Sequence, residues 1–79
     1  MDKKLEKILK NIIKKKINYK LNNKLVADGY LDSFSIILLV SQLEQSFKVK
    51  IKLSNININV FNSLKSIKKI LIQNGAKSE

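Results

Sequence analysis

The sequence lacks the residue types on which most enzyme active sites and metal centres depend. It has no cysteine, and therefore neither a disulfide framework nor a thiolate. It has no histidine, which is the commonest general base and the commonest metal ligand in proteins. Its six carboxylates are scattered along the chain, so they indicate neither a paired acid–base site nor a cage for a cation. These absences argue against an enzyme, and we expect neither catalytic nor metal-binding residues.

Proline is absent, and so is any long apolar run. The longest unbroken run is Ile36 to Val40, whereas a membrane-spanning helix needs about 20 apolar residues. Lysines interrupt every apolar run near the N-terminus, which is not typical of a signal peptide. We therefore expect a cytoplasmic, soluble protein without a transmembrane segment. Its 79 residues fit one domain, residues 1–79, near the lower size limit for a self-sufficient core.

The charge balance is strongly positive, at +10, and every one of the sixteen basic residues is a lysine. Such a charge suggests a nucleic acid or an anionic membrane as partner. Arginine, which reads guanine and clamps phosphate, is absent, and Tyr19 and Tyr30 form no evident stacking platform. Ile, Asn and Lys make up 37 of the 79 residues, a bias that A/T-rich codons would produce. We interpret the lysines mainly as solvated surface and keep a basic nucleic-acid or membrane-binding module as an alternative.

Apolar residues recur at helical spacing in three segments, and each segment predicts an amphipathic helix. The predicted helices cover approximately residues 2–16, 33–47 and 63–73. Asp2 is placed to cap the first helix, Ser63 to cap the third, and Gly75 to end the third. The predicted core positions are Leu5, Ile8, Leu9, Ile12, Ile13, Ile36, Leu39, Val40, Leu43, Phe47, Leu64, Ile67, Ile70 and Leu71.

Two segments between these helices show no helical period. Residues 17–32 are rich in turn formers, and we predict a long loop with apolar anchors. Residues 48–60 begin with lysines alternating with apolar residues, as in a strand, but the chain offers no second strand to pair with. We predict an extended loop there, with a short helical turn near residues 59–62. The sequence therefore predicts an all-α fold with three long helices and one short helix.

The pair Asp32-Ser33 lies where the second helix is predicted to begin. Aspartate and serine are both common helix caps, so these two residues alone favour a structural role. Ser33 is not equipped to act as a catalytic nucleophile, because the chain has no histidine to activate its hydroxyl. If Ser33 is chemically modified, another enzyme must carry out the reaction.

Three apolar residues lie on or beside the polar face of the second helix. Phe34 and Leu38 fall among serine and glutamine residues, and Ile37 lies on the flank. Exposed apolar groups of this kind can mark a partner surface, which Ile51 would extend. The alternative is that Phe34 folds back onto the loop and that Ile37 is the edge of the core.

The run DGYLDSFSIILLVSQLEQSFKVKI, residues 28–51, resembles the region around the modification site of acyl carrier proteins. FNSLKSIKKIL, residues 61–71, resembles their closing segment, and the order of helices and loops extends the resemblance over essentially the whole chain. The resemblance implies a small four-helix, acyl-carrier-like bundle. It also implies that Ser33 carries a 4′-phosphopantetheine arm beside the supporting acid Asp32. The arm's thiol, which the chain itself lacks, would hold an acyl or aminoacyl group as a thioester.

The type of carrier is indicated by the second helix. Carriers of fatty-acid synthesis are strongly acidic there, whereas Glu44 is the only charged residue of this helix. GYLDS and FNSLKSI are more similar to aminoacyl carriers such as the D-alanine carrier, although Lys48 stands where the family often has glycine. The resemblance thus implies a monomeric carrier of a specialised biosynthetic pathway. Its implied partners are a phosphopantetheinyl transferase, a loading ligase or acyltransferase, and downstream acyl-transfer enzymes. A housekeeping fatty-acid carrier and a carrier-like subunit that is never modified are the alternatives.

Overall fold

The computed structural model of the protein describes residues 2–15, 17–19, 21 and 23–76. These residues form three α-helices and two short 3₁₀ helices and include no β-strand, so the all-α prediction is confirmed. The α-helices are α1 (Asp2–Ile13), α2 (Ser33–Phe47) and α3 (Leu64–Gln73), and the 3₁₀ helices are Leu53–Asn55 and Ile58–Asn62. The predicted turn near residues 59–62 is thus a 3₁₀ helix and not a fourth α-helix, and the 3₁₀ helix at Leu53–Asn55 was not predicted. No helix in the described ranges has the length and apolar character that crossing a bilayer requires.

Helix α1 ends earlier than the sequence indicates, at Ile13 and not near residue 16. Lys14 adopts a left-handed conformation with φ of 58°, which terminates the helix, and Lys16 lies outside the described residues. Asp2 lies inside the first turn of α1, where the helix dipole favours a carboxylate, and is not the residue before it. Its Oδ1 lies 2.7 Å from Lys68 Nζ, so Asp2 links α1 to α3.

Helices α2 and α3 begin and end close to the predicted residues. Lys48 ends α2 in a left-handed conformation with φ of 55°, which is the position where helices most often use glycine. At α3, Ser63 Oγ accepts a hydrogen bond from Ser66 N at 3.1 Å, as predicted for a cap. Gly75 has φ of 100°, and the following Ala76 N donates to Leu71 O at 2.9 Å, which closes the C-terminal turn.

The core is built from all three helices and from the loops between them. Every predicted core position is buried or partly buried. Lys4, near the start of α1, donates to Ser46 O at 2.6 Å and lies 5.0 Å from the ring centroid of Phe47, so the start of α1 lies beside the end of α2. The segments outside the α-helices contribute the further buried residues Tyr19, Leu25, Leu31, Val49, Ile51, Phe61 and Ala76.

Two leucines of α2 provide a matched test of this packing. Leu43 is fully buried, whereas Leu38 is 45% exposed. We expect Leu43→Ala to lower the free energy of unfolding by about 2–5 kcal/mol, because the substitution leaves a cavity in the core. We expect Leu38→Ala to lower it by less than about 1 kcal/mol. Urea denaturation followed by circular dichroism measures both, and equal losses would contradict the described orientation of α2.

Candidate functional site

Asp32, and not Ser33, caps helix α2. Its backbone is extended, with φ of −106° and ψ of −177°, and its Oδ1 accepts a hydrogen bond from Ser35 N at 2.8 Å. Ser33 is the first residue of the helix, and its side chain is exposed. Within the described part of the chain, no hydrogen bond engages the Ser33 hydroxyl. The sequence left open which of the two residues caps α2, and the structure assigns that role to the carboxylate.

The start of α2 favours negative charge. The aligned peptide dipoles of a helix place a partial positive charge at its N-terminus. Hydrogen bonds from Ser35, first from its backbone N–H and then from its hydroxyl, hold the pKa of Asp32 below the ordinary value of 3.8. No acidic residue lies within the first turn of α2 itself. A group attached to the Ser33 hydroxyl would therefore lie where a phosphate is electrostatically favoured.

Asn62 holds the loop that leads to Ser33. Its Oδ1 accepts hydrogen bonds from Val26 N at 2.8 Å and from Ala27 N at 3.0 Å. Its main-chain oxygen accepts a third hydrogen bond, from Leu25 N at 2.9 Å. Leu31 N in turn donates to Leu25 O at 2.9 Å, which brings the bonded network next to Asp32. Through Asn62, the second 3₁₀ helix thereby fixes the loop backbone that leads to Ser33.

Sequence reasoning missed Asn62. Its two side-chain hydrogen bonds join residues 36 and 35 positions apart, and no local pattern indicates such a contact. The available signal was weak: an asparagine stands directly before the α3 cap, and the long loop needs partners for its backbone N–H groups.

The predicted apolar surface beside Ser33 is present. Phe34, Ile37 and Leu38 are 71%, 57% and 45% exposed, respectively. Ile51, which we expected to extend this surface, is only 7% exposed and belongs to the core. Its backbone N–H donates to Glu44 Oε2 at 2.9 Å, and this bond joins the segment after α2 to the helix. Ile51 therefore does not extend the exposed apolar surface beside Ser33.

A small apolar cleft opens beside Ser33. It has a volume of about 190 Å³ and lies between α2 and the two 3₁₀ helices. Its lining, apart from Ser33, consists of Ile36, Ile37, Leu53, Ile56, Ile58 and Phe61. Leu53 and Ile58 remain 37% and 40% exposed and enlarge the apolar surface around the serine. The sequence did not indicate their role, because only the fold brings them next to α2.

Comparison with protein-family models, with curated proteins and with solved structures gives no match. The resemblance to acyl carrier proteins therefore rests on the residues of this chain. Asp32-Ser33 alone is a common pair, and the resemblance rests on its spacing to Leu43-Glu44 and Phe47 along α2, together with the length of the chain and the order of its helices.

The lowered pKa of Asp32 predicts how the cap responds to acid. Because the folded state favours the ionised carboxylate, its stabilisation is present above the ordinary pKa of 3.8 and is lost as the pH falls through the lowered folded value. We expect the Asp32 carboxyl signal in NMR to titrate with a midpoint below 3.8, and the Ser35 amide signal to follow the same midpoint. In Asp32→Asn the Ser35 amide should lose this titration. A midpoint at or above 3.8 would show that the carboxylate does not accept these bonds.

Substitution of Asn62 tests the clamp on the loop. Asn62→Ala leaves the Val26 and Ala27 N–H groups without their acceptor, and we expect a loss of unfolding free energy of about 1 kcal/mol or more. Asn62→Asp keeps an oxygen at the same place and should lose less. Urea denaturation gives the stabilities, and hydrogen exchange should show faster exchange of both amides in the alanine variant only. Unchanged exchange in Asn62→Ala would refute the clamp.

Proposed function

We propose that the protein is a carrier that holds an acyl or aminoacyl group as a thioester on a 4′-phosphopantetheine arm attached to Ser33. One observation carries the proposal: Asp32 caps α2, which leaves the exposed Ser33 hydroxyl without a structural role. The matching serine bears the arm in the acyl carrier proteins that the chain resembles. The proposal includes a carrier-like four-helix bundle, in which the 3₁₀ helix Ile58–Asn62 takes the place of the short helix.

Attachment of the arm is a phosphoryl transfer from coenzyme A. Ser33 Oγ bonds to the phosphorus next to pantetheine, the bond from this phosphorus to the bridging pyrophosphate oxygen breaks, and adenosine 3′,5′-bisphosphate leaves. The hydroxyl proton passes to a base of the phosphopantetheinyl transferase, because this chain has no histidine to accept it. The carrier itself contributes an exposed hydroxyl in a fixed position and performs no catalysis.

Two features of the site support an attached arm. A phosphodiester on Ser33 would lie at the N-terminus of α2, where an exposed negative charge is stabilised by about 0.3–1 kcal/mol. The adjoining cleft, at about 190 Å³, is smaller than the roughly 300–1,000 Å³ of pockets that bind free small molecules. Its size and apolar lining suit a tethered segment, either part of the arm or the first carbons of the cargo.

The surroundings of Ser33 also support a specialised carrier, which we place in the cytoplasm as a monomer. Phe34, Ile37 and Leu38 offer an apolar surface on which the transferase, a loading ligase or acyltransferase, and acceptor enzymes can dock in turn. Glu44, the only carboxylate of α2, is engaged by the Ile51 N–H. Helix α2 therefore lacks the acidic surface that carriers of fatty-acid synthesis present to their enzymes, and we assign this chain to an aminoacyl or secondary-metabolite pathway.

One observation favours a second candidate, a module that binds polyanions. Lys3, Lys7 and Lys10 follow one another along the outer side of α1, Lys14 comes directly after its end, and all four are exposed. Binding of duplex DNA or anionic vesicles through them would be electrostatic and would fall steeply between 50 and about 200 mM salt. This activity would not depend on Ser33, so Ser33→Ala separates it from the carrier function.

The carrier function is tested by intact mass after incubation with coenzyme A and a broad-specificity phosphopantetheinyl transferase. We expect the wild type to gain one phosphopantetheine group and Ser33→Ala to gain none, because the acceptor oxygen is absent. Ser54→Ala, which alters an exposed serine outside α2, should be loaded like the wild type. Circular dichroism should show the same helical content in all three proteins. A mass gain in Ser33→Ala, or no gain in the wild type even with the transferase of the source organism, would refute the proposal.

A further inference from the structure

The exposed side of α2 leads from the Ser33 end of the helix into an open groove at its other end. Phe34, Leu38, Ser41 and Gln45 follow one another at helical spacing along this side. At 1.5 Å per residue, Gln45 lies roughly 18 Å from Ser33 along the helix axis. The groove measures about 500 Å³, and Ser41, Glu44 and Gln45 form its α2 wall. A single partner surface can therefore cover Ser33, the apolar residues and the groove together.

The wall of the groove that faces α2 carries positive charge. Lys50 and Lys52 line it, and both side chains are exposed. No ion pair within the described residues involves either lysine. Glu44, the one carboxylate on the opposite wall, accepts the Ile51 N–H and is thereby held in an internal contact. The groove thus presents two lysines to a partner.

Charge changes sign along this side of the molecule. The exposed Asp32 directly precedes Ser33, the apolar residues Phe34 and Leu38 follow, and the lysines lie beyond them. A partner that matches this order must place acidic side chains over the groove when its active site reaches Ser33. Opposite charges at a fixed distance from the reacting group set the register of docking and raise the association rate.

We propose that the phosphopantetheinyl transferase that loads Ser33 docks along α2 and binds Lys50 and Lys52 through acidic side chains. The inference rests on the proposed carrier function and adds the chemistry of the partner surface to it. The apolar residues supply contact area, and the two lysines orient the enzyme so that its active site meets the serine.

Helix α3 offers a matched control surface. Lys65 and Lys69 are exposed and line another open groove, of about 570 Å³. That groove has no residue in common with the cleft at Ser33 or with the groove of Lys50 and Lys52. Reversing two charges on α3 changes the net charge of the protein by the same amount as reversing the two groove lysines. Any difference in loading between the two variants therefore depends on where the charges lie and not on the net charge.

The experiment measures kcat/KM for arm transfer from a fluorescent coenzyme A by the transferase of the source organism. We expect Lys50→Glu/Lys52→Glu to lower kcat/KM roughly tenfold or more, mainly through KM, because the reversed charges repel the acidic partner. Lys50→Gln/Lys52→Gln should show a smaller loss, and Lys65→Glu/Lys69→Glu should stay within about twofold of the wild type. The loss in the first variant should shrink as salt screens the charges.

The outcomes separate this inference from the carrier function. Loading of Lys50→Glu/Lys52→Glu at the wild-type rate, or equal losses in the groove and α3 variants, would overturn the docking proposal and leave the carrier function intact. A wild type that accepts no arm would overturn both. Thermal melting of each variant confirms that the compared proteins are folded.

Discussion

The position of Ser33 depends on the hydrogen bonds that Asn62 makes to the long loop. Residues 17–32 contain no α-helix in their described part, so they cannot fix their own conformation through a regular ladder. Asn62 accepts hydrogen bonds from the backbone N–H groups of Leu25, Val26 and Ala27. The side chains of Leu25 and Leu31 are buried in the core. The loop is thus held from the second 3₁₀ helix, and the start of α2 follows from it. The long loop therefore has a structural role in this small domain, because it holds the backbone that leads to Ser33.

At the start of α2, one residue caps the helix and its neighbour exposes a hydroxyl group. Asp32 satisfies the Ser35 N–H, and Ser33 keeps an exposed hydroxyl one residue further on. If Ser33 were the cap, its oxygen would be engaged in a hydrogen bond and modification would cost the helix that bond. The observed arrangement allows a bulky group on Ser33 while the helix start remains intact. The apolar cleft beside Ser33 would accommodate part of such a group.

The elements that depend on local spacing were predictable from the sequence, and those that depend on distant contacts were not. Periodicity located α2, α3 and the core positions of all three helices, because each buried face repeats at the helical period. Lysine is a good helix former, so nothing in the pattern indicated that Lys14 would turn left-handed and end α1. The exposure of Ile51 was predicted wrongly, because its environment is set by a hydrogen bond to Glu44 and by core packing. The clamp by Asn62 joins segments about 36 residues apart, so the sequence indicated it only weakly.

Whether Ser33 carries a phosphopantetheine arm in the living cell is tested most directly by the mass of the protein isolated from its own organism. Proteolysis and tandem mass spectrometry would assign any added mass to a residue. We expect a fraction of the peptide that contains Ser33 to carry one 4′-phosphopantetheine, free or acylated, on that serine. Unmodified Ser33 in all of the isolated protein, under conditions in which other carriers of the same cells bear their arm, would contradict this expectation.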